Sequence, residues 1–178
     1  FIFLRLRGIL GKKTGFEGKL ATEFQKEFTN NVVNKKKNQN FDDVAQKNFL
    51  KGARIAYETI ITDFSDSDNK LTRCKSLLSK KIYNQFKDAL TERESKSYFA
   101  EITFIGIESA IIKEHKKLEN SLEVTVNFVS ELITCIRDKD KKIISGDPEK
   151  VKKVYDTWTF SKDSSSTSPN WLLIDTQN

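Results

Sequence analysis

The chain has 178 residues, a net charge of +6, and contents of 37% hydrophobic and 11% aromatic residues. This length allows one domain with an extension, and the composition is sufficient for an ordinary apolar core. The basic excess is modest and forms no stripe with aromatic residues, so we expect no nucleic acid partner.

The positive charge is concentrated near the N-terminus, where residues 1–43 have a net charge of +4 and residues 44–178 one of +2. The first residues, FIFLRLRGILGKK, combine an apolar start with a basic continuation. This combination predicts a membrane-binding group, because basic residues flank membrane segments and are attracted to anionic lipid. The group consists of Phe1, Ile2, Phe3, Leu4, Arg5, Arg7, Lys12, Lys13 and Lys19.

Two interpretations of this group stay open. Ten helical residues span about 15 Å, half of a hydrocarbon core, so the group fits the end of a membrane helix that begins before Phe1. The absence of methionine from the sequence favours such a preceding segment. The alternative is a short amphipathic helix packed on its own domain, or a disordered tail.

Residues 20–43 predict a polar linker that contains at most one short helix. ATEFQKEF places Phe24 and Phe28 on one helical face, whereas TNNVVNKKKNQN has no apolar periodicity. From residue 44 to Phe64, apolar residues recur every three or four positions, which predicts a helix lying on a core. A short helix is expected around residues 71–78, and another after Ser79, a suitable N-cap.

After Ser97 the apolar period becomes two, which predicts β-strands. Four candidates follow, namely YFAEITFIGIESAII, LEVTVNFVSELITCIRD, KVYDTWTF and WLLIDT, with ISGDPEK as a turn before the third. Helices followed by strands indicate an α+β fold in which N-terminal helices pack on a curved antiparallel sheet of about four strands. Long strands twist and bulge, so we expect a cone with an apolar interior.

Several stretches together resemble the Tim44-like domain family. They are RLRGILGKKTGFE, FLKGARIAYETII, LLSKKIYNQF, VTVNFVSELITCIRD, GDPEKVKKVYDTWTFSKD and PNWLLIDT, in this order. The resemblance implies a nuclear-transport-factor-two-like cone without catalysis or cofactor. It divides the chain into the end of a membrane anchor with its basic flank (1–19), a polar linker or short helix (20–43) and the Tim44-like domain (44–178).

The family comprises the C-terminal domain of the mitochondrial import-motor scaffold and bacterial membrane-tethered proteins. The resemblance implies binding to an anionic, cardiolipin-like membrane surface and to a protein partner such as a translocase or a chaperone. Residues 1–43 do not resemble the long charged N-terminal half of the mitochondrial scaffold. We therefore expect the bacterial form, with the domain on the cytoplasmic face of the inner membrane; the matrix side of the mitochondrial inner membrane is the alternative.

The residues expected around the interior are mostly aromatic. They are Tyr57, Phe86, Phe104, Val126, Phe128, Asp156, Trp158 and Trp171. We expect most of them to be plain core. If the cone is incompletely filled, they line a pocket for an acyl chain or an apolar side chain, and the chain is then a small-ligand-binding or enzymatic cone.

No catalytic or metal site is predicted. His115, the only histidine, is expected to be an exposed residue between strands, and Cys74 and Cys135 to be reduced, buried thiols. Glu131 and Asp156 are the candidate acids of a pocket enzyme. A hydrogen-bonded structural carboxylate is the favoured interpretation, because no base or nucleophile accompanies them.

Overall fold

The computed structural model describes residues 41–66, 68–166 and 170–177. The elements are helix α1 (Asp43–Ser65), a 3-10 helix (Lys75–Leu77), helix α2 (Lys80–Ser95) and strands β1 (Phe99–Lys117), β2 (Ser121–Arg137), β3 (Ile143–Asp163) and β4 (Leu172–Gln177). The strands form one antiparallel sheet in the order β1-β2-β3-β4. The predicted α+β fold is therefore confirmed. The predicted membrane-binding group and the Phe24–Phe28 helix lie outside the described residues.

Helix α1 forms where the apolar period predicts it. The Asp42 carboxylate caps its start by accepting a hydrogen bond of 2.8 Å from the Ala45 amide. Residues at three- and four-residue spacing form one buried face, consisting of Phe49, Ala53, Tyr57, Ile60 and Phe64. This face holds the helix on the sheet, because an amphipathic helix gains most of its stability from packing.

The predicted N-cap of α2 is confirmed, since the Ser79 hydroxyl accepts from the Ile82 amide at 3.3 Å. The short helix predicted around residues 71–78 is confirmed only in part, because only Lys75–Leu77 is helical and forms a 3-10 turn. The reason is the carboxylate of Asp63. It binds the backbone amides of Arg73 at 3.0 Å and Cys74 at 2.9 Å, which holds this segment as a loop against the end of α1.

The turn predicted at ISGDPEK is also wrong. The reversal lies earlier, at residues 138–142, where the Asp138 amide donates to the Lys142 carbonyl at 3.0 Å. Strand β3 then begins at Ile143 and pairs with the end of β2, and the pairing jumps from Asp147 to Val151. Residues 148–150 therefore form a bulge in the strand. Pro148 is tolerated there because it breaks no ladder hydrogen bond.

Both helices cover the same face of the sheet, which we call the inner face. One apolar cluster contains residues from α1, α2 and all four strands. Strand β1 has three irregularities, after Phe104, Ile107 and Ile112. Bulges of this kind bend a strand and increase its twist, so β1 can curve along α1, which it contacts.

Candidate functional site: an aromatic and polar cluster on the inner face

The structure brings together most of the predicted interior residues around Tyr57. The Tyr57 ring stacks on Phe128 at a centroid distance of 4.4 Å and contacts Trp158 at 4.6 Å. Phe104 lies further out, at 6.3 Å from Tyr57, and is half-buried. Tyr57, Phe128 and Trp158 are almost completely buried, so their rings form a packed cluster between helix and sheet.

Two polar side chains of the sheet bind the hydroxyl group of Tyr57. The hydroxyl donates to Asp156 Oδ2 at 2.7 Å and lies 2.9 Å from Ser130 Oγ. Since the phenol has one proton and gives it to the carboxylate, the Ser130 hydroxyl donates to the phenol oxygen. The strands position these groups, because Phe128 pairs with Asp156 in the register of β2 and β3.

Burial and the nearby negative charge of Asp156 raise the pKa of Tyr57 well above its ordinary value. The phenol therefore stays protonated and acts as a hydrogen-bond donor throughout the physiological pH range. A general base or a nucleophile would need the opposite shift. The geometry is that of a structural carboxylate held by a tyrosine, which agrees with the favoured interpretation of Asp156.

The other predicted interior residues lie in different places. Val126 is completely buried on the inner face. Phe86 packs on Phe64 at 5.3 Å, between the two helices. Trp171 contacts Phe49 at 4.6 Å, near the start of α1. The predicted set is thus divided between the Tyr57 cluster, the interface of the two helices and the start of α1.

The prediction for His115 is wrong. His115 lies within β1 opposite Val124, because the pairing of β1 with β2 continues to Lys117. Its ring is half-buried and lies 5.2 Å from Phe41. Within the described part of the chain, its Nε2 atom is buried and has no hydrogen-bond partner. His115 is therefore a packing residue that contacts Phe41, just before α1.

The structure also places the two cysteines and the second candidate acid. Cys74 and Cys135 are free and buried, and burial raises the pKa of both thiols, which disfavours the reactive thiolate. Glu131 lies on the outer face, opposite Lys153 in the β2–β3 register. Among the described residues, no group of three or more His, Cys, Asp or Glu side chains is placed to hold a metal ion.

A polar groove on the outer face was missed by the sequence analysis. Its volume is about 230 Å³, and its lining includes Glu114, Glu123, Thr125, Thr159, Asp175 and Gln177. The alternation of β2 had indicated a polar side for Glu123 and Thr125. Their neighbours from β1, β3 and β4 depend on the strand register, which the sequence pattern does not reveal.

Comparison with known proteins identifies the family of the chain. The profile of the Tim44-like domain matches residues 23–178. The chain belongs to the Tim44-like domain family. A solved structure similar to the chain is the intermembrane space region of the chloroplast protein ARC6, with 10% identity and a TM-score of 0.40 over 70% of this chain and 94% of that one. No curated protein sequence matches the chain significantly.

Membership of the Tim44-like domain family suggests a membrane-associated scaffold role related to protein translocation. The family is generally non-catalytic. Of the helices that the structure describes, none is long and apolar enough to cross a bilayer.

Proposed function

We propose that this protein is a non-catalytic interaction domain held at an anionic, cardiolipin-like membrane surface. Residues 1–19 bind the lipid, and the Tim44-like domain binds a protein partner, a translocase or a chaperone. The membrane is a bacterial inner membrane with the domain on its cytoplasmic face; the matrix side of the mitochondrial inner membrane is the alternative. We also infer that the sheet forms the nuclear-transport-factor-two-like cone implied by the family.

The distribution of charge is the observation that carries this proposal. Residues 1–40 contain nine basic and three acidic residues, whereas residues 41–178 contain 22 of each. The whole net charge of +6 therefore lies in residues 1–40. Near an anionic leaflet each basic residue contributes about 1 kcal/mol, so the five basic residues of the membrane-binding group contribute about 5 kcal/mol.

A small-ligand-binding cone is the second candidate. It is favoured by the half-buried position of Asp156 and Phe104 at the border of the Tyr57 cluster. The close contacts of Tyr57 with Phe128 and Trp158 support the first proposal instead, because they leave no space between these rings.

The test is flotation of the full chain with phosphatidylcholine vesicles that contain or lack cardiolipin, at low and high salt. Replacement of Lys12, Lys13 and Lys19 by Gln should weaken binding about 100-fold, because about 3 kcal/mol of attraction is lost. The matched control replaces Lys35, Lys36 and Lys37 by Gln, which removes the same charge from the polar linker.

The control should bind nearly as well as the parent, and high salt should weaken all three proteins. Equal weakening of lipid binding by both triple substitutions would show that binding depends only on the total charge and not on the position of the basic residues. Binding that does not depend on cardiolipin would contradict the lipid part of the proposal.

A further inference from the structure

Positive charge is concentrated in one stretch of the folded domain. Residues 70–87 contain six basic residues and no acidic residue, although residues 41–178 as a whole contain 22 of each. The other part of residues 41–178 therefore has 16 basic and 22 acidic residues and is net negative. A separation of this kind produces a strong local positive field around residues 70–87.

Four lysines of this stretch lie around the ring of Tyr83, and we call them the basic surface. They are Lys75, Lys80, Lys81 and Lys87, and all four are exposed. The Lys75 ammonium group faces the half-buried Tyr83 ring at 5.5 Å. Lys80 and Lys87 stand three and four residues from Tyr83 on α2, so they are its neighbours on the surface of the helix.

The lysines of the basic surface have no ion-pair partner among the residues that the structure describes. Other cations of the domain do have one. Arg73 binds Asp63 at 3.0 Å, and Lys153 binds Glu108 at 2.6 Å. Arg73 is thereby neutralised, so it does not belong to the basic surface although it lies in the same stretch. The charge of the four lysines is available to a partner.

The position of Lys80 and Lys81 works against the stability of α2. They stand in its first turn, which contains no acidic residue, and the positive end of the helix dipole disfavours cations there. Helix α1 follows the usual rule, with Asp42 as its cap and Asp43 in its first turn. Rules of local stability are typically broken where residues serve a function. Together with the unpaired charge, this position indicates a surface that binds anions.

We propose that the basic surface binds an acidic segment, rich in Asp and Glu, of the protein partner. This inference rests on the proposed function and deepens it, because it gives the chemistry of the partner that the Tim44-like domain binds. Lys80 and Lys87 are seven residues apart, which corresponds to about 10 Å along the helix. A segment therefore needs several carboxylates to contact all of the lysines at once.

The basic surface lacks the apolar side chains with which a protein enters a bilayer. Within residues 70–87 every large apolar side chain is buried or half-buried, and the exposed ones of the described chain lie elsewhere. Helices that bind at a membrane surface combine basic residues with an apolar face that enters the lipid. An acidic protein segment therefore matches this surface better than a bilayer does.

The test measures the acetylation rate of each lysine in the full chain by mass spectrometry, with and without a deca-glutamate peptide and without lipid. We expect the peptide to slow acetylation of the basic surface about threefold, because exposed ion pairs are weak. The control lysines are Lys139, Lys142 and Lys150, which are also exposed and should change little. A Gly-Ser peptide of the same length should protect no lysine.

Two triple variants with the same net charge separate the site from the total charge. Lys75→Gln with Lys80→Gln and Lys87→Gln leaves Lys81 as the reporter. The peptide concentration that half-protects Lys81 should rise about eightfold, because each of three lost ion pairs contributes a factor of about two. Substitution of the three control lysines by Gln should leave this concentration nearly unchanged.

Equal protection of the control lysines, or an equal effect of the two triple variants, would overturn the proposal, because the peptide would then respond to net charge alone. Cardiolipin-containing vesicles that protect the basic surface at least as well as the peptide would also overturn it, because this surface would then bind the membrane. The peptide test contains no lipid, and flotation tests the membrane-binding group, so failure of this inference is distinguishable from failure of the proposed function.

Discussion

Replacement of Tyr57 by Phe removes one oxygen atom from the centre of the candidate site and leaves the ring in place. Two hydrogen bonds are lost, a bond of 2.7 Å to the Asp156 carboxylate and one of 2.9 Å with the Ser130 hydroxyl. A bond to a charged acceptor contributes about 1.5–3 kcal/mol and a neutral one about 0.5–1.5 kcal/mol. Asp156 is half-buried and regains part of its hydration, so we expect a net loss of about 2–3 kcal/mol.

The assay is equilibrium unfolding in urea, with the free energy of unfolding obtained from the midpoint at constant slope. Tyr83→Phe is the matched control, because the contact of Tyr83 is made by its ring, which faces the Lys75 ammonium group at 5.5 Å. The control should lose less than about 0.5 kcal/mol. A double-mutant cycle with Asp156→Asn should give a coupling of about 1–2 kcal/mol between Tyr57 and Asp156.

The sign of the pH dependence follows from the raised pKa of Tyr57. Its contribution is complete below the pKa of an unfolded tyrosine, about 10, and is lost as the pH rises toward the folded value. The parent should therefore lose stability more steeply above pH 10 than Tyr57→Phe. A loss below about 0.5 kcal/mol for Tyr57→Phe, with no coupling to Asp156, would refute the reasoning. It would show that water already solvates these groups and that the cluster is an open pocket.

Substitutions at three further positions test the rest of the fold by urea unfolding. Arg93→Met should lower the free energy of unfolding by about 2–4 kcal/mol, because two backbone carbonyls would lose their donor. The buried guanidinium donates to the carbonyls of Phe64 at 3.0 Å and Asp66 at 3.2 Å. Arg93→Lys should recover only part of the lost stability. Burial alone would raise the pKa of Asp63, but the backbone amides and the Arg73 guanidinium that bind the carboxylate hold its pKa below the ordinary value. The stability that Asp63 contributes is therefore present at neutral pH and is lost as the pH falls through the pKa of the folded state. Asp63→Asn should make the free energy of unfolding depend less on pH in the acid range, and an unchanged dependence would contradict this. Gly146→Ala should lower the free energy of unfolding by about 2–3 kcal/mol. The reason is that Gly146 has a φ of +81° and that a Cβ there would lie 2.1 Å from a backbone oxygen of β2. An unchanged free energy of unfolding would refute the local register.

Features that depend on local spacing could be predicted from the sequence. The buried face of α1 follows from the three- and four-residue period, and the start of α2 follows from the Ser79 hydroxyl. The period of two after Ser97 gave the strands and placed Asp156 on the face of Trp158. These patterns show which positions of an element face the core, and they do not depend on which other element those positions contact.

Features that depend on pairing could not be predicted in this way. Tyr57 and Asp156 are 99 residues apart, and the packing of α1 on the paired strands brings them together. The charged neighbours of His115 suggested a turn, but the pairing of Lys117 with Leu122 extends β1 past it. The segment at Asp147–Val151 has the composition of a turn and is a bulge instead, because the flanking residues pair with β2 on both sides.

The proposed function requires that the membrane-binding group, and not the Tim44-like domain, enters the membrane. Phe3→Trp places a fluorescent reporter in the predicted membrane-binding group, and the native Trp158 and Trp171 report on the domain. The measurement is quenching of tryptophan emission by brominated lipids in cardiolipin-containing vesicles. We expect strong quenching of the emission of the added tryptophan and no quenching of the emission of Trp158 and Trp171. Quenching confined to the native tryptophans, or absent from all three, would contradict it.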